Sequence, residues 1–244
     1  MNHKQIKLSD DGTYFTLDGQ KIFKTFKNAL KFHEPGLAPV ENETGWFHID
    51  TSGNAIYRER YKRAFGYYDE RAAVIDENNN WFHISTKGNR LYHENYAWCG
   101  NFQENLCTVR DFKGNYFHIN IDGRRIYSEN YIYAGDYKDG FAVVRLKNGL
   151  CKHIDRQGKD LNGKLFHDLG VFHKNYATAK DENGWFHISK KGEELYSERY
   201  SMIEPFYNGF ALVNTFNNKK LIIDEAGNIS FIISPEIKTE VNLF

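Results

Sequence analysis

"RAAVIDENNNWFHISTKGNRLYHENY", residues 71–96, decides the fold. It opens with a short apolar run, Ala72 to Ile75, and turns through Asp76–Asn80, a cluster of turn formers. The chain resumes as Trp81–Ser85 and turns again at Lys87–Gly88–Asn89, where glycine supplies a positive φ without steric cost. A third strand is expected to carry Leu91 and Tyr92, and the link "CGNFQEN", residues 99–105, a short strand around Phe102. No sustained helical period is present. "WFHI" is apolar at successive positions instead of alternating, which suits a strand covered on both faces.

This segment is one copy of a repeated unit. "WFHI" stands at 46–49, 81–84 and 185–188, with "YFHI" at 116–119 and "CKHI" at 151–154. The glycine after each block runs Gly19, Gly53, Gly88, Gly123, Gly158, Gly192, Gly227, in steps of 34 or 35. The block's third position runs Thr16, His48, His83, His118, His153, His187, Ile222. An aromatic column runs Tyr61, Tyr96, Tyr131, Phe166, Tyr200, and another Tyr67, Phe102, Tyr137, Phe172, Phe206. A small-residue column runs Ala38, Ala72, Cys107, Ala142, Ala177, Ala211. Several independent columns with one period define a repeat protein. Seven units are expected, starting near residues 6, 38, 72, 107, 142, 177 and 211 and reaching the mid-230s, with no linker, in a single domain over 1–244.

The fold expected is all-β: seven repeats of about 35 residues, forming a seven-bladed β-propeller, with an open β-superhelix or solenoid of three-stranded units as the alternative. The unit is short beside the ~40–45 residues of WD-type blades. In a closed ring, deletion from Phe206 onward should abolish cooperative folding; in an open array the loss should be graded.

Composition narrows the function. Lys plus Arg and Asp plus Glu both number 32, so no basic footprint for nucleic acid or anionic membrane is present. Three cysteines, Cys99, Cys107 and Cys151, make no disulfide framework and suit a reducing compartment. "MNHKQIKLSDDGTYF" has no apolar h-region, and no apolar run is of membrane-spanning length, so a cytoplasmic protein is expected. Aromatic residues make up 16%. Such residues favour strands and bury large areas.

The unit "YAGDYKDGFAVVRLKNGLCKHIDRQGK", residues 133–159, resembles the bacterial WG (KWG-type) repeats, with Trp-Phe-His, as in Trp46–Phe47–His48, in place of their Trp-Gly. "YAWCGNFQENLCTVRDFKGNYFHINIDGRRIY" and "MIEPFYNGFALVNTF" are similar to WFHID-rich repeat regions found beside O-methyltransferase-like domains. The resemblance runs from about Gly12 to Gly227. It implies a binding or scaffold role beside a methyltransferase domain, in cis or in trans, and brings no catalytic residues with it. Nothing after Phe244 and no Gly-rich nucleotide loop provides such a domain here, so no methyltransferase activity is expected of these residues.

Catalytic motifs are missing. Gly163–Lys164 lacks the rest of a P-loop, His93–Glu94 lacks the second histidine of a zincin, and "DENNN" at 76–80 has the wrong spacing for an EF-hand and suits a turn. The recurrent Tyr-x-Glu-x-Tyr places Glu59, Glu94, Glu129 and Glu198 in equivalent positions. A ring of sugar sites is one reading; a turn that solves the same structural problem in each unit is the other, and repetition favours it. The fifth unit is irregular: Cys151–Lys152 replaces Trp-Phe, and "LNGKLFHDLG" brings His167 and Asp168, with His173 nearby. Such a break marks either drift or a grafted ligand site.

The block itself, Trp46, His48, Trp81, His83, His118, His153, Trp185 and His187, is expected to be structural. Equivalent histidines on sheets ~10 Å apart point in parallel. Zinc ligands must converge on one point at ~2 Å. Each imidazole is therefore expected to bond a backbone, hydroxyl or carboxylate group, with no metal and no cofactor. The function expected is a non-catalytic module that binds a protein, with a multivalent carbohydrate-binding propeller as the alternative.

Overall fold

A computed structural model describes residues 1–233; the end of the expected repeat region in the mid-230s, and of the expected domain at 244, lie outside them. The chain is all-β; the described residues form seven small antiparallel sheets and one three-residue 3₁₀ turn, His3–Gln5. By contact density it divides into two compact units, Met1–Tyr137 with Arg156–Gly158, and Lys138–Asp155 with the chain from Lys159 onward.

The N-terminal unit holds four three-stranded sheets. They are Lys7–Leu8, Phe15–Leu17 and Gln20–Ile22; Asn28–Ala29, Ala38–Asn42 and Gly45–Ile49; Arg63–Tyr68, Arg71–Ile75 and Trp81–Ser85; and Trp98–Gln103, Leu106–Arg110 and Tyr116–Asn120. The C-terminal unit holds the hairpin Phe141–Arg145 and Cys151–Asp155, then Asp168–Leu169, Tyr176–Asp181 and Gly184–Ser189, then Met202–Ile203, Phe210–Asn214, Lys220–Asp224 and Ile229–Ile233. From the second sheet on, the small-residue column stands at the start of the second strand, so these sheets begin one strand before the repeat starts read from sequence. The strand expected around Phe102 is accordingly the first strand of the following sheet.

One register recurs. Ala72 faces Ile84, Ala73 faces His83 and Val74 faces Phe82; Cys107 faces Ile119, and Ala177 faces Ile188. A small side chain opposite each isoleucine lets the neighbouring sheet approach. Burial covers both faces of the third strand, since Phe82, His83 and Ile84 are all buried. The first strands carry bulges, between Ala64 and Tyr67 and between Cys99 and Phe102. A bulge leaves a residue outside the ladder, and so frees its backbone groups for another partner.

The strand expected through Leu91 and Tyr92 does not form as a continuous ladder. It is reduced to single bridges, Ile84 with Arg90 and Trp81 with Tyr96. Between them the chain leaves the sheet and Tyr92 turns inward to become buried. The seventh repeat has no Tyr-x-Glu-x-Tyr, and there Ile229–Ile233 makes a true fourth strand. Among the described residues no helix is long and apolar enough to cross a membrane.

Candidate functional site

The histidine column is a set of inter-repeat clamps. His83 Nε2 lies 2.9 Å from the carbonyl oxygen of Gly100, in the bulge of the next repeat's first strand, and Nδ1 lies 2.6 Å from the Tyr92 hydroxyl of its own repeat. His48 does the same with Phe65 O at 2.8 Å and Tyr57 Oη at 2.5 Å. His118 takes Gly135 O at 2.8 Å and Tyr127 Oη at 2.6 Å, and His187 takes Glu204 O at 3.0 Å and Tyr196 Oη at 2.5 Å. A carbonyl only accepts, so Nε2 carries the proton, and Nδ1 accepts from the tyrosine hydroxyl. Burial holds all five imidazoles of the column down to about 4, against the upward pull of the carbonyl bond. They are neutral at pH 7.

Aromatic packing completes each clamp. The rings of Tyr67, Phe102, Tyr137, Phe172 and Phe206 lie 3.9–4.7 Å from the imidazole of the preceding repeat. The clamp tyrosine lies against the turn glycine of the following repeat. A Cβ on Gly88 would fall 2.3 Å from the Tyr57 ring, one on Gly123 2.4 Å from Tyr92, and one on Gly227 2.7 Å from Tyr196. These glycines therefore serve the turn, with φ near +80°, and the close approach as well.

The tryptophans flank the clamps. Trp46 is buried under Arg63, whose guanidinium lies 4.0 Å from its ring centroid; Trp81 stacks on Phe65 at 5.1 Å; and Lys180 lies over Trp185.

The recurring glutamates are not drawn together. Glu59, Glu94, Glu129 and Glu198 are all exposed. What recurs is the backbone of their loops, whose carbonyls cap an arginine. Arg90 donates to His93 O and Glu94 O, Arg125 to Ser128 O and Glu129 O, Arg60 to Arg58 O and Glu59 O, and Arg199 to Ser197 O. Each guanidinium lies 3.7–4.0 Å above the phenylalanine of its block: Arg60 on Phe47, Arg90 on Phe82, Arg125 on Phe117, Arg199 on Phe186. Arginine enters from two different sequence positions, two or seven residues after the turn glycine, and reaches the same place. An open cavity of about 300 Å³ lies beside Glu94, lined also by Arg90, Tyr92, Asp122 and Arg124.

The fifth repeat makes compensated changes. Lys152 occupies the phenylalanine slot and Asp160 one of the arginine slots, and the two pair at 3.2 Å. Asn162 replaces the clamp tyrosine and donates to Gly192 O at 3.1 Å. His153 keeps its bond to Gly170 O at 2.9 Å, but its buried Nδ1 has no hydrogen-bond partner among the described residues. His167 is exposed, and Asp168 pairs with Arg145 at 3.0 Å, so the two are not brought into one site. Among the described residues, no group of three or more His, Cys, Asp and Glu side chains could hold a metal ion. Cys99, Cys107 and Cys151 are buried free thiols, and burial raises the pKa of each.

Comparison with known proteins supports the repeat type. The family model described as WG containing repeat matches residues 188–219. No curated protein matches the chain. Among solved structures, a eukaryotic initiation factor aligns at 13% identity over 94% of this chain and 73% of that one, with TM-score 0.59. The computationally designed Ika8 protein aligns at 14% identity over 93% and 83%, TM-score 0.51. The WD40 beta propeller domain of Doa1 aligns at 13% over 89% and 87%, TM-score 0.37. At these identities the first two likenesses concern the fold alone. The chain is an all-β repeat protein whose seven small sheets give the sheet content of a seven-bladed β-propeller. Its residues 188–219 carry a WG-type repeat.

Proposed function

We propose that the chain is a non-catalytic scaffold that binds a protein partner, an O-methyltransferase-like domain in cis or in trans being the partner class its repeat type suggests. The observation that carries this reading is the direction of the recurring polar groups. Histidine and tyrosine hydroxyls face inward and join repeat to repeat, and arginine is capped by carbonyls of its own repeat. The recurring glutamates stand exposed and apart, so among the described residues no repeated constellation offers an acid, a base and a substrate cleft together. A rigid array with variable exposed positions is suited to recognition. Three buried free thiols suit a reducing compartment, and the cytoplasm is the location proposed.

The test is isothermal calorimetry of the purified repeats against an O-methyltransferase-like domain of the same organism, alongside a glycan array. A stoichiometric complex with a silent array is expected. Multivalent sugar binding, lost on Glu94→Gln and Glu129→Gln, would replace the scaffold with a lectin.

A further inference from the structure

The first repeat lacks the clamp. Thr16 stands where five later repeats have histidine, so no imidazole reaches across to Leu30 as His48 reaches to Phe65. Two adjoining cavities lie here, of about 450 and 420 Å³, sharing Leu8, Lys31 and His33 as walls. The N-terminal turn closes one side and the first strand of the third sheet the other.

The walls divide by chemistry. On the polar side, Glu34 is engaged by Lys4 at 3.3 Å and by His3 at 3.5 Å. Lys7 and Lys31 have no carboxylate partner among the described residues. Lys4, Lys7 and Lys31 stand against the single carboxylate of Glu34 in the lining of this cavity. On the other side are rings. Tyr68 lies 5.0 Å from the His33 imidazole, and Phe65 and Phe32 border the two cavities. Gly66 lets His33 lie flat on the strand, since a Cβ there would fall 2.6 Å from Nε2. Burial lowers the pKa of His33.

Strand register makes Lys31 equivalent to Gly66 and Asn101, and His33 equivalent to Tyr68 and Gln103. Position 31 differs from sheet to sheet, whereas position 33 recurs once: His173 lies 5.4 Å from the Tyr207 ring, as His33 lies 5.0 Å from Tyr68.

We propose that this groove binds a small organic phosphate of nucleotide size, its anionic group between Lys7 and Lys31 and its flat ring against Phe65 and Tyr68. Two unpartnered ammonium groups suit a doubly charged phosphate monoester. The combined space is within the range of ligand pockets, ~300–1,000 Å³. The site is additional to the protein-binding role proposed above and does not depend on it.

Adenosine 5′-monophosphate is the probe, titrated by calorimetry into the full chain at low salt, with adenosine and inorganic phosphate as separate controls. Saturable binding with Kd below about 1 mM is expected, and each control should bind about tenfold more weakly or worse. Lys7→Gln with Lys31→Gln should weaken binding about tenfold at unchanged Tm, while Lys87→Gln with Lys113→Gln, on remote turns, should leave it intact. Gly66→Ala, which displaces His33, gives an independent variant that should also weaken binding. Equal affinity for adenosine and its monophosphate, no saturation up to about 5 mM, or unchanged binding in the Lys7/Lys31 variant would overturn the proposal.

Discussion

An imidazole whose Nε2 must donate and whose Nδ1 must accept has one usable form, and protonation destroys it. The unfolded chain takes up a proton on each such histidine near 6.5, the folded chain only near 4. Acid therefore favours the unfolded state between these values. The clamps' contribution is fully present above about pH 6.5 and is lost as pH falls toward 4. A pKa unit corresponds to about 1.4 kcal/mol, so the downward shifts of the column make stability depend strongly on pH. The urea midpoint should fall steeply between pH 6.5 and 4.5, with unfolding before all five histidines titrate; a flat midpoint over that range would count against buried neutral imidazoles. The same reasoning singles out His153, whose Nδ1, with Asn162 in the tyrosine slot, has no partner among the described residues. Asn162→Tyr supplies the missing hydroxyl above Gly192, as Tyr196 does above Gly227. It should stabilise by about 0.5–1.5 kcal/mol, read as a raised denaturant midpoint, and a lowered midpoint would show that Lys152 and Asp160 have remodelled the slot. At this scale the sequence was partly legible. Five histidines in one register could be read as parallel and structural, but not which atom each would bond. The accepting carbonyl lies 17 residues downstream in a strand bulge, and no side-chain pattern marks a bulge.

The elements are tuned by what crosses between turns. Gly114 and Gly123 both have φ near +80°, but only Gly123 lies under a ring, that of Tyr92. Gly114→Ala should cost only the left-handed backbone, about 1–2 kcal/mol. Gly123→Ala adds displacement of the clamp tyrosine and should cost at least ~1 kcal/mol more. Equal denaturant midpoints for the two variants would remove the turn glycine from the interface. The arginine over each phenylalanine shows why part of this was hidden. Arg60 with Ala55, and Arg90 with Asn95, look like unrelated columns, yet a long side chain reaches the same place from either position. The strand expected at Leu91 and Tyr92 is bridged only at its ends, with Leu91 N–H donating to His83 O between them, and the fifth repeat, with Asn162 in the tyrosine slot, is interrupted in the same way.

Over the whole molecule, stability rests on repeated interfaces instead of one centre. Phe186 is 1% exposed, with Arg199 over its ring and Phe166 beside it. Phe186→Ala should cost ~3–5 kcal/mol in a denaturant melt; a loss under ~0.5 kcal/mol would place the strand at the surface. The period and the all-β class were legible because every interface asks for the same residues at the same spacing. The groove at Lys7, Lys31 and His33 was not, because it is built where the pattern lapses and draws on separate stretches of chain. The most direct test of the clamp is the tautomer of the histidine column, read by long-range ¹⁵N–¹H NMR of the imidazoles at pH 7 with a titration downward. His48, His83, His118 and His187 should each show a protonated Nε2 and a bare Nδ1, with no titration down to about pH 5.5, and added zinc should leave the signals in place. Nδ1–H tautomers, midpoints near 6.5, or signals shifted by zinc would contradict the clamp.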